Sequence, residues 1–188
     1  MTQRVFVDAN VLYSRTLRDW LFLLRVESNG GMFQIHTSWD VINEAGDKLR
    51  NAHPEWPGGA ISSLMKKIQE IFDEIITVYP GGQVEGISDE GDWHVHHAAE
   101  ACHADILLTE DTGFESDDTH YEVYTCDEFF VEVEKSAPDV VGRVVKRQVP
   151  FWANRGGKQL PDALRDAACP KFAEVALKHI QKLAMASG

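Results

Sequence analysis

Short apolar runs alternate with longer amphipathic stretches along this chain. Arg4-Val5-Phe6-Val7 is the first run, and Asp8 ends it. A β-branched and aromatic run of this kind reads as a buried parallel strand, and such strands present ligands at their carboxyl ends. Residues 9–28 then carry Val11, Leu12, Leu17, Leu21, Leu24 and Val26 near helical spacing, which predicts one helix. After the Gly30-Gly31 turn, residues 32–35 predict a second strand. Ser38 is the expected N-cap of a helix over roughly 39–51, with Val41, Ile42, Ala45 and Leu49 as its apolar stripe. The break HPEWPGG at 53–59 precedes a helix over about 60–71. Strands are expected at 75–78, 104–109 and 121–125, with a helix over 93–103 between the first two. From 127 onward the pattern is helical: roughly 127–134, 138–148, 161–168 and 170–185, interrupted at Gly156-Gly157. Strands alternating with helices predict an α/β fold, a mainly parallel sheet covered by helices on both faces in three layers, followed by a helical extension. The boundary is drawn between 136 and 137.

Composition narrows this picture. The chain has 188 residues, enough for one well-packed domain with an appendage. No apolar run approaches the roughly 20 residues that span a bilayer, and no basic-then-apolar leader opens the chain, so a cytoplasmic protein without a membrane partner is expected. Cys102, Cys126 and Cys169 lack CxxC spacing and read as reduced thiols. Charge is divided unevenly. Residues 1–139 hold 9 Lys and Arg against 27 Asp and Glu, whereas residues 140–188 hold 9 against 3. A body this acidic repels a polyanion at long range, so a nucleic-acid substrate would need metal ions at the site, a basic segment to grip it, or both.

Four carboxylates come from four separate places: Asp8 after the first strand, Glu44 at the edge of a helix stripe, Asp92 at a helix start and Asp111 after a later strand. Each has a plainer reading, Asp8 as a helix N-cap and Glu44 as an edge residue reaching solvent. In a parallel sheet the strand ends share one edge, so Asp8 and Asp111 can converge with Asp92 beside them. Two unit charges about 4 Å apart repel by about 4 kcal/mol at an effective dielectric of about 20. Either some of these acids are protonated or they hold a hard divalent cation, Mg²⁺ or Mn²⁺. The cation is the favoured reading.

These pieces resemble a known family. FVDANVL (6–12), the Glu44 helix within SWDVINEA, and DWHVHHAAEACHADILLTED (92–111) with the strand that follows are similar to the PIN domain, a metal-dependent ribonuclease fold that includes VapC-type toxins of toxin–antitoxin pairs. The resemblance covers about residues 4–130 and is strongest over 92–111. It implies a nuclease domain at 1–136, with Asp8, Glu44, Asp92 and Asp111 as the catalytic metal-binding acids and Asn10 and Thr109 supporting them. It also implies RNA cleavage leaving a 5′-phosphate, an antitoxin partner and a homodimer. Many relatives carry a further acid just before the aromatic residue corresponding to Phe114, where this chain has Gly113. The fourth acid is therefore Asp111, or Asp117 or Asp118 from the loop. A PIN-fold module that binds RNA or protein without cleaving is the alternative.

Other signals compete. His96, Glu100 and His103 lie on one helix face at a spacing that can bind Zn²⁺, although no HExxH is present. His94, near Asp92, could contact substrate. A haloacid-dehalogenase-type phosphatase also begins with a strand ending in Asp, but needs a second Asp where this chain has Asn10. The paired glycines match no phosphate-binding fingerprint. In the tail, Arg143, Lys146, Arg147, Arg155 and Lys158 are interleaved with Phe151 and Trp152. They either grip RNA phosphates and stack a base, or pack and pair with acids of the protein. Trp20, Phe22 and Trp39 are candidate antitoxin contacts if they are not core.

Overall fold

The computed structural model describes residues 2–114, 119–154 and 157–186. Five strands form one parallel sheet in the order β3-β2-β1-β4-β5, where β1 is Gln3–Val7, β2 Phe33–Ser38, β3 Glu74–Ile76, β4 Ile106–Leu108 and β5 Glu122–Tyr124. This is the α/β class that the alternating pattern predicts. Val5, Phe6 and Val7 are wholly buried, as are Leu107 and Leu108. Burial on both faces explains why β1 and β4 read as continuous apolar runs. β2 extends three residues beyond its expected end because His36, Thr37 and Ser38 are polar yet buried. The Thr37 hydroxyl donates to the Val7 carbonyl at 3.0 Å and the Ser38 Oγ caps the next helix, accepting from the Val41 N–H at 3.3 Å. Those bonds offset the cost of burying the groups.

The stretch expected as one helix over 9–28 is two: α1 (Ala9–Tyr13) and α2 (Arg15–Glu27). Between them Ser14 is extended, and its Oγ accepts from the Leu17 N–H as the α2 N-cap. The remaining helices are α3 (Trp39–Ala52), α4 (Ala60–Gln69), α5 (Trp93–Ala101), α6 (Cys126–Ser136), α7 (Pro138–Ala153), α8 (Leu160–Asp166) and α9 (Pro170–Ala186), with a single 3₁₀ turn at Glu90–Asp92. The described residues include no helix long and apolar enough to cross a membrane. Cys102, Cys126 and Cys169 are buried thiols outside any disulfide.

The chain groups into two compact units. One comprises Met1–Tyr13 with Gly31–Tyr124, and the other Ser14–Gly30 with Thr125–Gly188. α2 and α6 thus group with the tail, whereas the sequence reading draws its boundary between 136 and 137. The first unit is the sheet with α1, α3, α4 and α5. The second is a helical cluster centred on Trp20, Phe130 and Phe172: Phe172 meets Trp20 edge-on at 4.8 Å and lies 5.2 Å from Phe130. There Asp127 accepts the backbone N–H groups of Lys171 and Phe172 at 3.2 and 2.8 Å, capping the start of α9 from another helix. Trp20 and Phe22 are core residues of this cluster, whereas Trp39 in the first unit is largely exposed.

Candidate functional site

The sheet order reverses direction between β1 and β4, the switch point at which open parallel sheets bind ligands beyond their carboxyl ends. β1 delivers Asp8 there, and β4 delivers Thr109 and Asp111. Asp8 is 4 % exposed. Its Oδ1 accepts from the Ala9 N–H at 2.6 Å, and its Oδ2 accepts from the Thr109 hydroxyl at 2.7 Å and the Asn10 amide at 2.9 Å. The Asn10 Nδ2 also donates to Asp111 Oδ2 at 2.9 Å, so one amide touches both carboxylates. The Asn10 Oδ1 accepts from the Glu110 N–H at 3.1 Å, which orients that amide. Thr109, fully buried, accepts the Asp111 N–H at 3.1 Å. Asn10 and Thr109 thus hold Asp8 and Asp111 in one arrangement.

Glu44 arrives on α3 and Asp92 at the start of α5. With Asp111, Asp47, Asp89 and His94 they line an open cleft of ≈ 660 Å³. Asp92 makes no capping bond to α5 with its side chain. Burial pushes its pKa up to about 6, helped by the charges of Asp89, Asp8, Asp111 and Glu44. Burial likewise raises the Asp8 pKa; the Thr109 and Ala9 bonds pull it back, and the Glu44 and Asp111 charges add to the rise. The four acids therefore sense one another electrostatically, as their convergence requires.

A residue that the sequence reading passes over sits among them. Lys48, one turn beyond Glu44, places its ammonium 2.8 Å from the Glu44 carboxylate. Burial opposes that charge, yet the bond to Glu44 and the charges of Glu44, Asp8 and Asp111 carry its pKa above the ordinary lysine value. The i, i+4 spacing from Glu44 is the signal that could have found it. His94 lies on the other side of Glu44, Nε2 to Oε2 at 3.6 Å.

Among the described residues, no three His, Cys, Asp or Glu side chains are gathered into a ready chelate. Glu44 is turned toward Lys48 and His94 instead. The donor chemistry still fits a hard divalent cation: four carboxylates, with one ammonium as compensating charge. Closing the set on an ion means exchanging that ammonium for it. Lys48→Met is accordingly expected to tighten Mn²⁺ binding about tenfold, measured by calorimetry, by removing a competing positive charge. Unchanged or weaker binding would show that Lys48 does not compete.

The raised pKa of Asp92 gives a second expectation. A carboxyl that binds its proton more tightly when folded contributes stability below its ordinary value of 3.8, and that contribution is lost as pH rises through about 6. His36 runs the other way. Burial, with Arg4 next, lowers its pKa, so its contribution is lost as pH falls. The informative quantity is the difference between the native chain and Asp92→Asn, both in chelator. Between about pH 7.5 and 5 the native chain should gain thermal stability relative to the variant. Parallel curves would remove Asp92 from the repelling cluster.

Gly113 lies at φ 126°, a left-handed conformation that an acid there would adopt only with strain. The loop after β4 therefore takes a path that disfavours an acid at position 113. Asp117 and Asp118 lie outside the described residues. The helix face whose spacing can bind zinc is otherwise engaged: the His96 ring bonds the Tyr121 hydroxyl at 2.8 Å, and Glu100 accepts the His120 N–H at 3.0 Å. Of the basic tail residues, Arg143 and Arg147 pair with Glu27 at 3.3 and 3.7 Å, and Lys158 pairs with Asp166. Lys146 is exposed, and Arg155 lies outside the described residues.

No protein-family model, curated protein or solved structure matches this chain. The likeness to PIN domains stands on the motifs quoted from the sequence.

Proposed function

We propose that the first unit is an Mg²⁺- or Mn²⁺-dependent endoribonuclease. One observation carries the reading: Asp8, Glu44, Asp92 and Asp111, from four separate elements, share the switch-point edge of a parallel sheet with too little positive charge to balance them. A divalent cation there supplies Lewis acidity toward a phosphodiester and makes water a nucleophile near neutral pH. The carboxylates would hold the ion. Asn10 and Thr109 fix the two inner carboxylates through the bonds given above. An acid of the set, such as Asp92, would orient the attacking water as general base. The toxin role, the antitoxin and the homodimer belong to the proposal through the sequence resemblance alone.

The non-catalytic alternative also has an observation in its favour, since Lys48 already occupies part of the acid cluster. Titration of Mn²⁺ into the chelator-treated chain, followed by an RNA cleavage screen in the same buffer, separates the two. Saturable binding with metal-dependent cleavage supports the nuclease. RNA binding without either supports the module.

A further inference from the structure

The first unit holds twenty Asp and Glu against five Lys and Arg: Arg4, Lys48, Arg50, Lys66 and Lys67. Arg4 pairs with Glu74 on the sheet and Lys48 with Glu44 in the cleft. The other three lie on α3 and α4, exposed, and form no ion pair among the described residues. An acidic surface whose unpaired cations lie on the neighbouring helices α3 and α4 offers a phosphate chain the edge that those helices form.

The edge is also a groove. A depression of ≈ 580 Å³ runs between α3 and α4, with Ile42, Gly46, Ile61 and Met65 in its wall and Arg50 on its rim. Asn43 and Asp47 line both this groove and the acid cleft, so the two adjoin across one ridge of α3. At 100° per residue, Lys66 falls on the same side of α4 as groove-lining Ser62 and Gln69, and Lys67 falls a further 100° away. At the end of the groove the Arg50 guanidinium donates to the Trp56 carbonyl at 3.2 Å. The Trp56 indole stacks on His53 with centroids 4.2 Å apart and planes 8° from parallel. Both rings are half-buried.

From this placement we infer that single-stranded RNA entering the acid cleft continues along the α3–α4 groove, with Arg50 and Lys66 on its phosphates and an unstacked base against the Trp56–His53 pair. An aromatic platform beside cations is how proteins hold single strands, whose bases are free to stack. Duplex RNA keeps its bases paired and gains nothing from the platform. The inference rests on the nuclease reading for the direction of the strand, and the test keeps the two apart.

Binding of a labelled single-stranded RNA to the full chain is measured by fluorescence anisotropy in chelator, where metal-dependent cleavage is off. Arg50→Ala and Lys66→Ala are each expected to weaken binding about fivefold and to lower the salt slope by about 0.7, one single-strand phosphate each. Trp56→Ala should cost about tenfold, and Trp56→Phe should recover most of it. Lys67→Ala is the control, because Lys66 and Lys67 both complement the α4 helix dipole and Lys66 is the nearer of the two to groove-lining Ser62 and Gln69 around the helix. It should stay within about twofold. Equal effects of Lys66→Ala and Lys67→Ala, no effect at Trp56, equal affinity for duplex RNA, or binding lost only on Arg143→Ala and Lys146→Ala would each overturn the groove. RNA cleavage in Mn²⁺ is scored separately on the native chain and Asp8→Asn. Groove-dependent binding without cleavage leaves the groove standing and removes the nuclease; Asp8-dependent cleavage with groove-independent binding does the reverse.

Discussion

Asp8→Asn is expected to lower metal-dependent RNA cleavage by at least about a hundredfold and to abolish saturable Mn²⁺ binding, while the chain stays folded. The substitution is nearly isosteric and removes one of four charges. In the native chain both Asp8 oxygens accept hydrogen bonds, three in all, from Ala9, Asn10 and Thr109. Asn can keep the Ala9 bond, but an amide nitrogen at the second position cannot accept from Thr109 and Asn10, so those two bonds are lost or rearranged. Against that rearrangement, the variant no longer buries an ionised carboxylate whose pKa burial already raises. The two effects oppose each other, so stability should move by no more than about 1 kcal/mol. Circular dichroism and thermal unfolding check the fold, calorimetry the ion, and cleavage of labelled RNA the chemistry. Cleavage at the native rate by a folded Asp8→Asn chain would place the reacting centre elsewhere.

Phe172→Ala is expected to reduce unfolding free energy by about 3–5 kcal/mol. Phe172 is fully buried, meets Trp20 edge-on at 4.8 Å and lies 5.2 Å from Phe130. Truncation removes both aromatic contacts and leaves a cavity among large rings that cannot collapse freely. Its backbone N–H is also held by Asp127 at 2.8 Å, which fixes the start of α9 and limits relaxation. Phe172→Leu should cost less, about 1–1.5 kcal/mol, because most of the volume stays. Urea unfolding reads both, and a lower midpoint at unchanged slope identifies a loss of native packing. A cost below about 1 kcal/mol for Phe172→Ala would mean that the aromatic trio is not the centre of the helical unit.

The site acids were legible as types and positions because chemistry restricts them. Asp8 and Asp111 each follow an apolar strand run, and in a parallel sheet such strand ends gather on one edge. Lys48 was not legible in the same way. Its meaning depends on the acids around the cleft: Glu44 and Asp47 share its helix, but Asp8 and Asp111 come from strand ends far from it in the sequence. Gly113 shows the same limit. The chain lacks an acid at that point, and the left-handed backbone that accounts for the lack emerges only once the loop is built. In the tail, the run of basic residues allowed either a nucleic-acid grip or pairing with acids of the protein, and the partner that Arg143 and Arg147 take, Glu27, lies more than a hundred positions away.

By itself the sequence determined the α/β alternation, the parallel sheet and the Ser38 cap, because each follows from periodicity or local hydrogen bonding within a few residues. It did not determine that 9–28 would break at Ser14, since both halves keep helical spacing and the break sends α1 and α2 into different compact units. The strand order, and with it the switch point between β1 and β4, is a property of long-range pairing. That pairing is decided by which buried faces can be covered together. The groove between α3 and α4 belongs to the same class: its cations and rings are all visible in the chain, and only packing makes them neighbours.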